Sequence, residues 1–171
     1  WATHAQPCDA IQVVAPNAEC QSDSGGYEWV PPAQMMQALL IADETALPAA
    51  VAILEQLSLH ANPPLVQAFF EVPLAGDCIN LDQFPFAQVH WLSRDVEHQP
   101  AHGRLLVDAV RQWVHIPAAA RVAAQSLAEN SLGGDVLWER AEGATTFYPW
   151  VAAESSTVKA LRRYWFGDAS L

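Results

Sequence analysis

Positive charge is scarce in this sequence. Its 171 residues include eight Lys and Arg against 19 Asp and Glu, so the formal net charge is −11. The first basic residue along the chain is Arg94. Because binding to nucleic acid depends on Lys and Arg that neutralise phosphates, this charge balance predicts that no nucleic acid is a partner.

Long apolar runs and paired cysteine motifs are also missing. No apolar run approaches the roughly 20 residues of a membrane helix, so no membrane insertion is expected. Cys8, Cys20 and Cys78 show no C-x-x-C spacing, which indicates free thiols in a reducing compartment and predicts a cytoplasmic protein. The chain has no nucleophile elbow, P-loop or zinc motif, and its histidines lack helical metal-binding spacing, so no metal site is expected.

The composition is that of a folded domain. Hydrophobic residues make up 51% of the chain, and its length suits one domain with a substantial core. Residues 1–17 do not begin with Met and look like the end of another unit, with a strand predicted within them at Asp9–Val14. Residues 18–35 are rich in Ser, Gly and Pro, which predicts a linker. The main domain is therefore expected at residues 36–171.

Within this main domain the pattern alternates between strand and helix. Short apolar runs bounded by turn residues predict strands, and apolar residues on one helical face predict helices. The alternation predicts an α/β fold with a mostly parallel sheet flanked by helices. The predicted elements are strand Gln37–Ala42, helix Ala46–Leu57, strand Leu65–Val72, strand Ala87–Leu92, helix Arg104–Trp113, a helix from Pro117 to near Asn130, an optional short strand Asp135–Arg140, strand Thr146–Ala152 and helix Ser155–Phe166.

Two connections that lead from a strand into a helix are the first candidates for a binding site. They are Asp43–Leu47 and Ala153-Glu154. The turn between a strand and a helix amino terminus is where α/β proteins bind phosphorylated cofactors. Thr45 is predicted to cap the first of these helices, which would leave the amides of Ala46 and Leu47 available to a phosphate. An ordinary capped helix would explain the same pattern.

The third predicted strand ends in a basic residue. Ser93 and Arg94 lie at its carboxyl end, where open α/β sheets bind ligands. A guanidinium there suits the 2′-phosphate of NADP. Pairing of Arg94 with Asp95 or Glu97 on the surface is the alternative interpretation.

Three further basic residues are clustered near the end of the chain. Lys159, Arg162 and Arg163 have i, i+3, i+4 spacing, so one helical face presents all three. A basic face beside a cofactor cleft would attract an anionic substrate. A solvated face that balances an acidic surface is the alternative.

Several segments resemble one protein family. The segment Leu40–Ala49, LIADETALPA, resembles the GDETALPA segment of siderophore-interacting proteins. Trp150–Glu154 and Val158–Tyr164 resemble that family's WxAGE and VKALRRY segments. Phe70–Pro73 and Val89–Asp95 lie at the corresponding places between them. Trp1-Ala2, Gln6–Asp9 and Ala15-Pro16 look like the end of the family's flavin domain, so the resemblance covers nearly the whole chain.

The resemblance implies an architecture and an activity. The family resembles ferredoxin reductases, in which a β-barrel binds FAD and a following α/β domain binds NADPH or NADH. Its members reduce ferric siderophores in the cytoplasm and release iron as Fe(II). This chain would then be the NAD(P)H-binding domain, preceded by a remnant of the FAD-binding barrel.

The resemblance also implies roles for the candidate residues. Thr45 and its helix end would hold the pyrophosphate, Arg94 the 2′-phosphate, and Glu154 would lie near the nicotinamide. The basic helical face would bind the anionic ferric complex. The implied cofactor site is Asp43, Glu44, Thr45, Ala46, Leu47, Ser93, Arg94, Ala153 and Glu154, and the implied substrate site is Lys159, Arg162 and Arg163.

Two substitutions keep other functions open. Ala42 and Ala153 stand where the family has glycine, and an extra methyl group at each would narrow a cofactor cleft. A non-catalytic binding module that keeps the fold without cofactor turnover is therefore one alternative. A reductase that acts on free flavin is another, which differs in substrate and not in fold.

Overall fold

The computed structural model describes His4, residues 6–10, Gln12 and residues 29–95, 100–115 and 146–166. Within these ranges, every element predicted from residue 36 onward is present, with its ends shifted by at most one residue. The described elements are β1 (Gln37–Ala42), α1 (Leu47–Ser58), β2 (Leu65–Val72), a 3-10 turn (Ala75–Asp77), β3 (Ala87–Ser93), α2 (Arg104–Trp113), β4 (Phe147–Ala152) and α3 (Ser155–Phe166).

The predictions for other parts of the chain have different outcomes. Of the strand predicted at Asp9–Val14, the structure describes Asp9, Ala10 and Gln12, and none of these three lies in a strand. The helix predicted from Pro117 and the short strand Asp135–Arg140 lie outside the described residues. The division into a flavin-domain remnant, a linker and a main domain stays a prediction.

The four described strands form one parallel sheet in the order β3-β2-β1-β4. All three neighbouring pairs are parallel, and Ala42 lies beside Phe70 on one side and Ala152 on the other. The predicted α/β fold with a parallel sheet and flanking helices is confirmed. Because the strands are parallel, their carboxyl ends lie along one edge of the sheet, and the connections that follow them lie close together.

Both faces of the sheet are covered by helices. Apolar side chains of α1 pack on one face against Leu40, Ala42 and Phe70, and those of α2 and α3 pack on the other against Leu39 and Phe69. Burial on both faces explains why β1 and β2 read as nearly continuous apolar runs. The methyl group of Ala42 is fully buried on the α1 face, so it lies in the core and does not narrow a cleft at the sheet edge.

Helices α2 and α3 run side by side in the same direction. Their amino ends meet where Gly103 contacts Thr157. Near their carboxyl ends, the Arg111 guanidinium lies 5.6 Å from the centre of the Tyr164 ring. No helix in the described part of the chain is both long and apolar enough to cross a membrane.

Candidate functional site

The two connections singled out in the sequence meet at the carboxyl edge of the sheet. From β1 the chain continues to β2 and then β3 on one side of β1, and β4 then pairs with the other side of β1. The direction of strand order therefore reverses between β1 and β4. This reversal is the switch point at which open α/β sheets bind ligands. Asp43 Oδ2 accepts a hydrogen bond from Glu154 N at 3.0 Å, and Asp43 N donates to Ala152 O at 3.3 Å. Asp43 therefore joins the connection after β1 to the connection after β4.

Asp43 also organises the start of α1. Its Oδ1 accepts hydrogen bonds from Thr45 N at 3.0 Å, Thr45 Oγ1 at 2.6 Å and Ala46 N at 3.3 Å. The carboxylate is only 2% exposed, so these donors compensate for its loss of hydration. The prediction that the Thr45 hydroxyl caps the helix is wrong, because that hydroxyl donates to Asp43 and the N-cap position is Ala46.

The contacts of Asp43 determine which amides at the start of α1 have no partner within the helix and could bind a ligand. Ala46 N also donates to Asp43 O at 3.1 Å, so the prediction that this amide is available to a phosphate is wrong. The first amide that the helix itself bonds is that of Ala50, which donates to Ala46 O. Pro48 has no amide hydrogen. Leu47 and Ala49 precede the first helical hydrogen bond, so their amides are the remaining donors of the first turn.

Glu154 occupies the start of α3. Its backbone carbonyl accepts from Thr157 N at 3.0 Å and Val158 N at 3.1 Å, and its carboxylate accepts from Ser156 N at 2.9 Å and from the Ser156 hydroxyl. The Ser156 hydroxyl and then the Ser156 amide lower the pKa of the Glu154 carboxyl. An ionised carboxylate at a helix amino terminus stabilises that helix.

Arg94 joins the carboxyl ends of β1, β2 and β3. Its Nη1 donates to Glu44 Oε2 at 2.9 Å and to Glu71 Oε1 at 2.8 Å, and its Nη2 donates to Glu44 Oε1 at 2.6 Å. The side chain is 16% exposed. Arg94 thus holds Glu44 by two parallel hydrogen bonds, which is the stronger and more specific form of this pair. Pairing with Asp95 is wrong, and pairing with Glu97 falls outside the described residues.

Glu71 is a functional candidate that the sequence analysis missed. Its side chain is 0% exposed, and besides Arg94 it accepts from Gly103 N at 2.7 Å and Leu106 N at 3.2 Å. A single carboxylate within the apolar run of β2 was the available signal, because a buried carboxylate must have partners. Glu71 connects β2 to the amino terminus of α2 and, through Arg94, to β3.

Two further polar groups lie at this edge. His102 Nε2 is 3.8 Å from Asp43 Oδ2 and 3.4 Å from Glu44 Oε2. Asp95 accepts from Ala75 N at 2.9 Å, and this amide and then the Ser93 hydroxyl lower the pKa of the Asp95 carboxyl. Within the described ranges, no group of three or more His, Cys, Asp or Glu side chains is arranged to hold a metal ion.

The basic face of α3 lies apart from these residues. Lys159, Arg162 and Arg163 are all exposed, as their spacing predicts. With a rise of about 1.5 Å per residue, Lys159 is about 6 Å and Arg163 about 12 Å along the helix from Ser155. Arg163 precedes Tyr164, whose hydroxyl donates to Arg111 O near the carboxyl end of α2. The two arginines therefore lie towards the opposite edge of the sheet from Asp43 and Arg94.

The Glu44–Arg94 pair predicts a loss of stability in acid. Hydrogen bonding to Arg94 lowers the pKa of the Glu44 carboxyl from 4.5 to about 2. This pKa is lower in the folded state than in the unfolded state. The pair therefore contributes fully to the free energy of unfolding above the unfolded-state pKa, and this contribution is lost as the pH falls through about 2. Urea denaturation at a series of pH values should show a steeper decline for the natural chain than for Glu44→Gln in this window. Parallel declines for the two chains would contradict the expectation.

Comparison with known proteins gives one family. A sequence model described as siderophore-interacting protein matches residues 35–171. Among solved structures, the chain is similar to a siderophore utilization protein from T. fusca, with 26% identity and a TM-score of 0.41; the match covers 72% of this chain and 46% of that one. The chain thus spans about half the length of that protein. No curated protein matches significantly. Because the family match covers most of its length, the chain belongs to the siderophore-interacting protein family.

Proposed function

We propose that this chain is the NAD(P)H-binding portion of a flavin-dependent ferric-siderophore reductase that releases iron as Fe(II) in the cytoplasm. One observation carries the proposal. The connections after β1 and β4 are joined through Asp43 and Glu154 at the switch point of a parallel sheet, which is where such sheets bind dinucleotides. Membership of the siderophore-interacting protein family supports a siderophore complex as the substrate.

The residues at this edge suit a nucleotide by position. The amides of Leu47 and Ala49 lie at the amino terminus of α1, where they are donors for a pyrophosphate. Asp43 keeps this helix end and the start of α3 in fixed relation, because its two carboxylate oxygens bond to both connections. Glu154, bonded to Asp43 through its amide, presents its carboxylate at the same edge, where the nicotinamide would lie. Ala153 adjoins it and packs partly into the core.

The chemistry of iron release needs a two-electron donor coupled to a one-electron acceptor. NAD(P)H would supply a hydride, and FAD held by an upstream domain would pass the electrons to ferric iron one at a time. Ferric iron is a hard cation held by anionic oxygen ligands, and ferrous iron is held far less tightly by the same ligands. The exposed cations of α3, which are Lys159, Arg162 and Arg163, would attract an anionic ferric complex over a longer range.

An anaerobic titration of the full-length gene product tests this proposal. NADH and NADPH are each added to the purified flavoprotein, followed by a ferric siderophore and a ferrous chelator. We expect the flavin absorbance to bleach with at least one nucleotide and to recover with the ferric complex, with the trapped Fe(II) equivalent to the electrons transferred. Bound flavin that neither nucleotide bleaches would defeat the proposal and favour the non-catalytic binding module.

The same experiment separates the free-flavin reductase. Such an enzyme would lose flavin during purification and would turn over added flavin as a substrate. The proposed reductase should instead retain its flavin through gel filtration. The non-catalytic binding module was suggested by Ala42 and Ala153. Ala42 does not favour it, because the Ala42 methyl group lies in the core.

A further inference from the structure

The strand β3 forms one edge of the sheet. Among the described residues it pairs with β2 and with no other strand. Just before its start, Phe86 O accepts a hydrogen bond from Val66 N at 2.9 Å, and just after its end, Arg94 N donates to a carbonyl of β2 at 3.0 Å. The register between these two bonds is unbroken. Since successive residues of a strand direct their backbone groups to opposite sides, the even-numbered residues of β3 bond to β2.

The odd-numbered residues of β3 direct their backbone groups away from β2. The amide of Ala87 donates back to Phe84 O at 2.9 Å in the preceding turn. Val89, Trp91 and Ser93 each present an N–H and a C=O along this edge, and no described strand pairs with them from outside. A row of such groups is a template for pairing with another strand.

Edge strands are usually protected against such pairing by a proline or by charged side chains. The other edge strand in the described part of the sheet, β4, has this protection. Its first and last bonds to β1 are accepted by Thr146 O and Ala152 O, so its even-numbered residues face β1. Pro149, which has no N–H, therefore faces the opposite side. In contrast, β3 has the sequence AQVHWLS, with no proline and no Lys, Arg, Asp or Glu.

We propose that β3 pairs with β3 of a second copy of this chain about a twofold axis, so that the two sheets join into one. With antiparallel pairing centred on His90, Val89 lies opposite Trp91 of the second copy, and these two residues exchange both backbone hydrogen bonds. A β-branched side chain then lies beside an aromatic one, which is a stabilising cross-strand pair. Gln88 lies opposite Leu92 of the second copy, so this register opposes no like charges.

A second copy fits this edge better than an unrelated strand. The net charge of −11 opposes the approach of two copies in general, whereas contact through the uncharged β3 opposes no carboxylates. The pairing satisfies two open edges at once, and because Pro149 protects β4, the twofold contact closes the assembly as a dimer. A groove of about 580 Å³ beside β3, lined by Ile79, Asn80 and Val89 among others, leaves room for the Trp91 ring of the second copy.

Sedimentation velocity of the full-length gene product, at neutral pH and over a range of protein concentrations, tests this proposal. We expect a dimer that dissociates on dilution. Val89→Pro removes the outward amide without removing a hydrogen bond to β2, as Pro149 does in β4. A dimer of this variant lacks two amide donors at the contact, so its Kd should rise roughly tenfold or more. Val89→Ala keeps the amide and controls for the lost side chain, so its Kd should rise less.

A charged variant covers the case in which Val89→Pro does not fold, which circular dichroism checks. Val89→Lys would bury an unpaired charge at the contact and should likewise give a monomer. Gln56→Lys adds the same charge at an exposed position of α1 and should leave the dimer intact.

Hydrogen exchange identifies which edge is paired. The amides of Val89, Trp91 and Ser93 should exchange roughly tenfold more slowly in the dimer than in the diluted monomer, because pairing gives each of them an acceptor. A monomer at every concentration would overturn the proposal. So would a dimer that the folded Val89 variant leaves intact, or one in which these three amides stay unprotected.

Discussion

Glu71→Gln is expected to destabilise the domain by about 3–5 kcal/mol although the side-chain volume is unchanged. The carboxylate is fully buried and accepts from Arg94 Nη1, Gly103 N and Leu106 N. A glutamine offers only one carbonyl oxygen, and its NH2 group must face at least one of these groups, which are themselves donors. The measurement is the free energy of unfolding from urea denaturation, followed by tryptophan fluorescence.

Glu55→Gln is the matched control for this change. It is the same chemical substitution at an exposed position on α1, where a surface change should stay within about 0.5 kcal/mol. The double variant Glu71→Gln/Arg94→Gln completes a thermodynamic cycle, and we expect it to be less destabilised than the sum of the single variants because the two side chains interact directly. A Glu71→Gln variant as stable as the Glu55→Gln control would contradict the importance of this carboxylate.

The sequence predicted the strands and helices well because their patterns are local. Apolar runs bounded by turn residues gave β1 and β2 with both ends correct, and helical periodicity did the same for α2 and α3. The beginning of α1 lies one residue later than predicted, and the amide and the hydroxyl of Thr45 both donate to Asp43 Oδ1, so that hydroxyl does not cap the helix. A side chain that precedes the helix, here that of Asp43, can therefore accept the hydrogen bonds that residue preferences assign to a capping threonine.

The candidate site was harder to predict because its contacts join distant parts of the chain. Asp43 and Glu154 were both chosen from motifs, and the parallel sheet brings them together across 111 residues. Arg94 was found as well, but its partner Glu44 is 50 residues away and Glu71 is 23 away. Which carboxylates it meets depends on strand order, since β2 lies between β1 and β3. Strand order is not contained in hydrophobic periodicity, so the ion-paired state of Arg94 required the structure.

Gly103→Ala is expected to destabilise the domain by about 2–5 kcal/mol, from about 1–2 kcal/mol of left-handed backbone strain and about 1–3 kcal/mol of overpacking. The backbone φ of Gly103 is +77°, and an added Cβ would lie 1.8 Å from Thr157 Oγ1 and 3.1 Å from its Cγ2. Because Thr157 is buried at the start of α3, it has little room to move. A shift of Gly103 away from Thr157 also disturbs the hydrogen bond from Gly103 N to Glu71 Oε1.

Two further variants separate the causes of the Gly103→Ala effect. Gly76→Ala is the matched control, because an added Cβ there meets nothing within 4 Å, and its free energy of unfolding should stay within about 0.5 kcal/mol of the natural chain. Adding Thr157→Ala to Gly103→Ala removes Oγ1, the atom that clashes most, together with Cγ2, but keeps Thr157 Cβ at 3.0 Å from the added Cβ. It should therefore recover most of the overpacking part, while the backbone strain remains because φ is unchanged. If Gly103→Ala matched the Gly76→Ala control, the close approach of α2 and α3 would not be what fixes the amino terminus of α2 against Glu71, and Glu71 with Arg94 would have to hold that helix end by themselves.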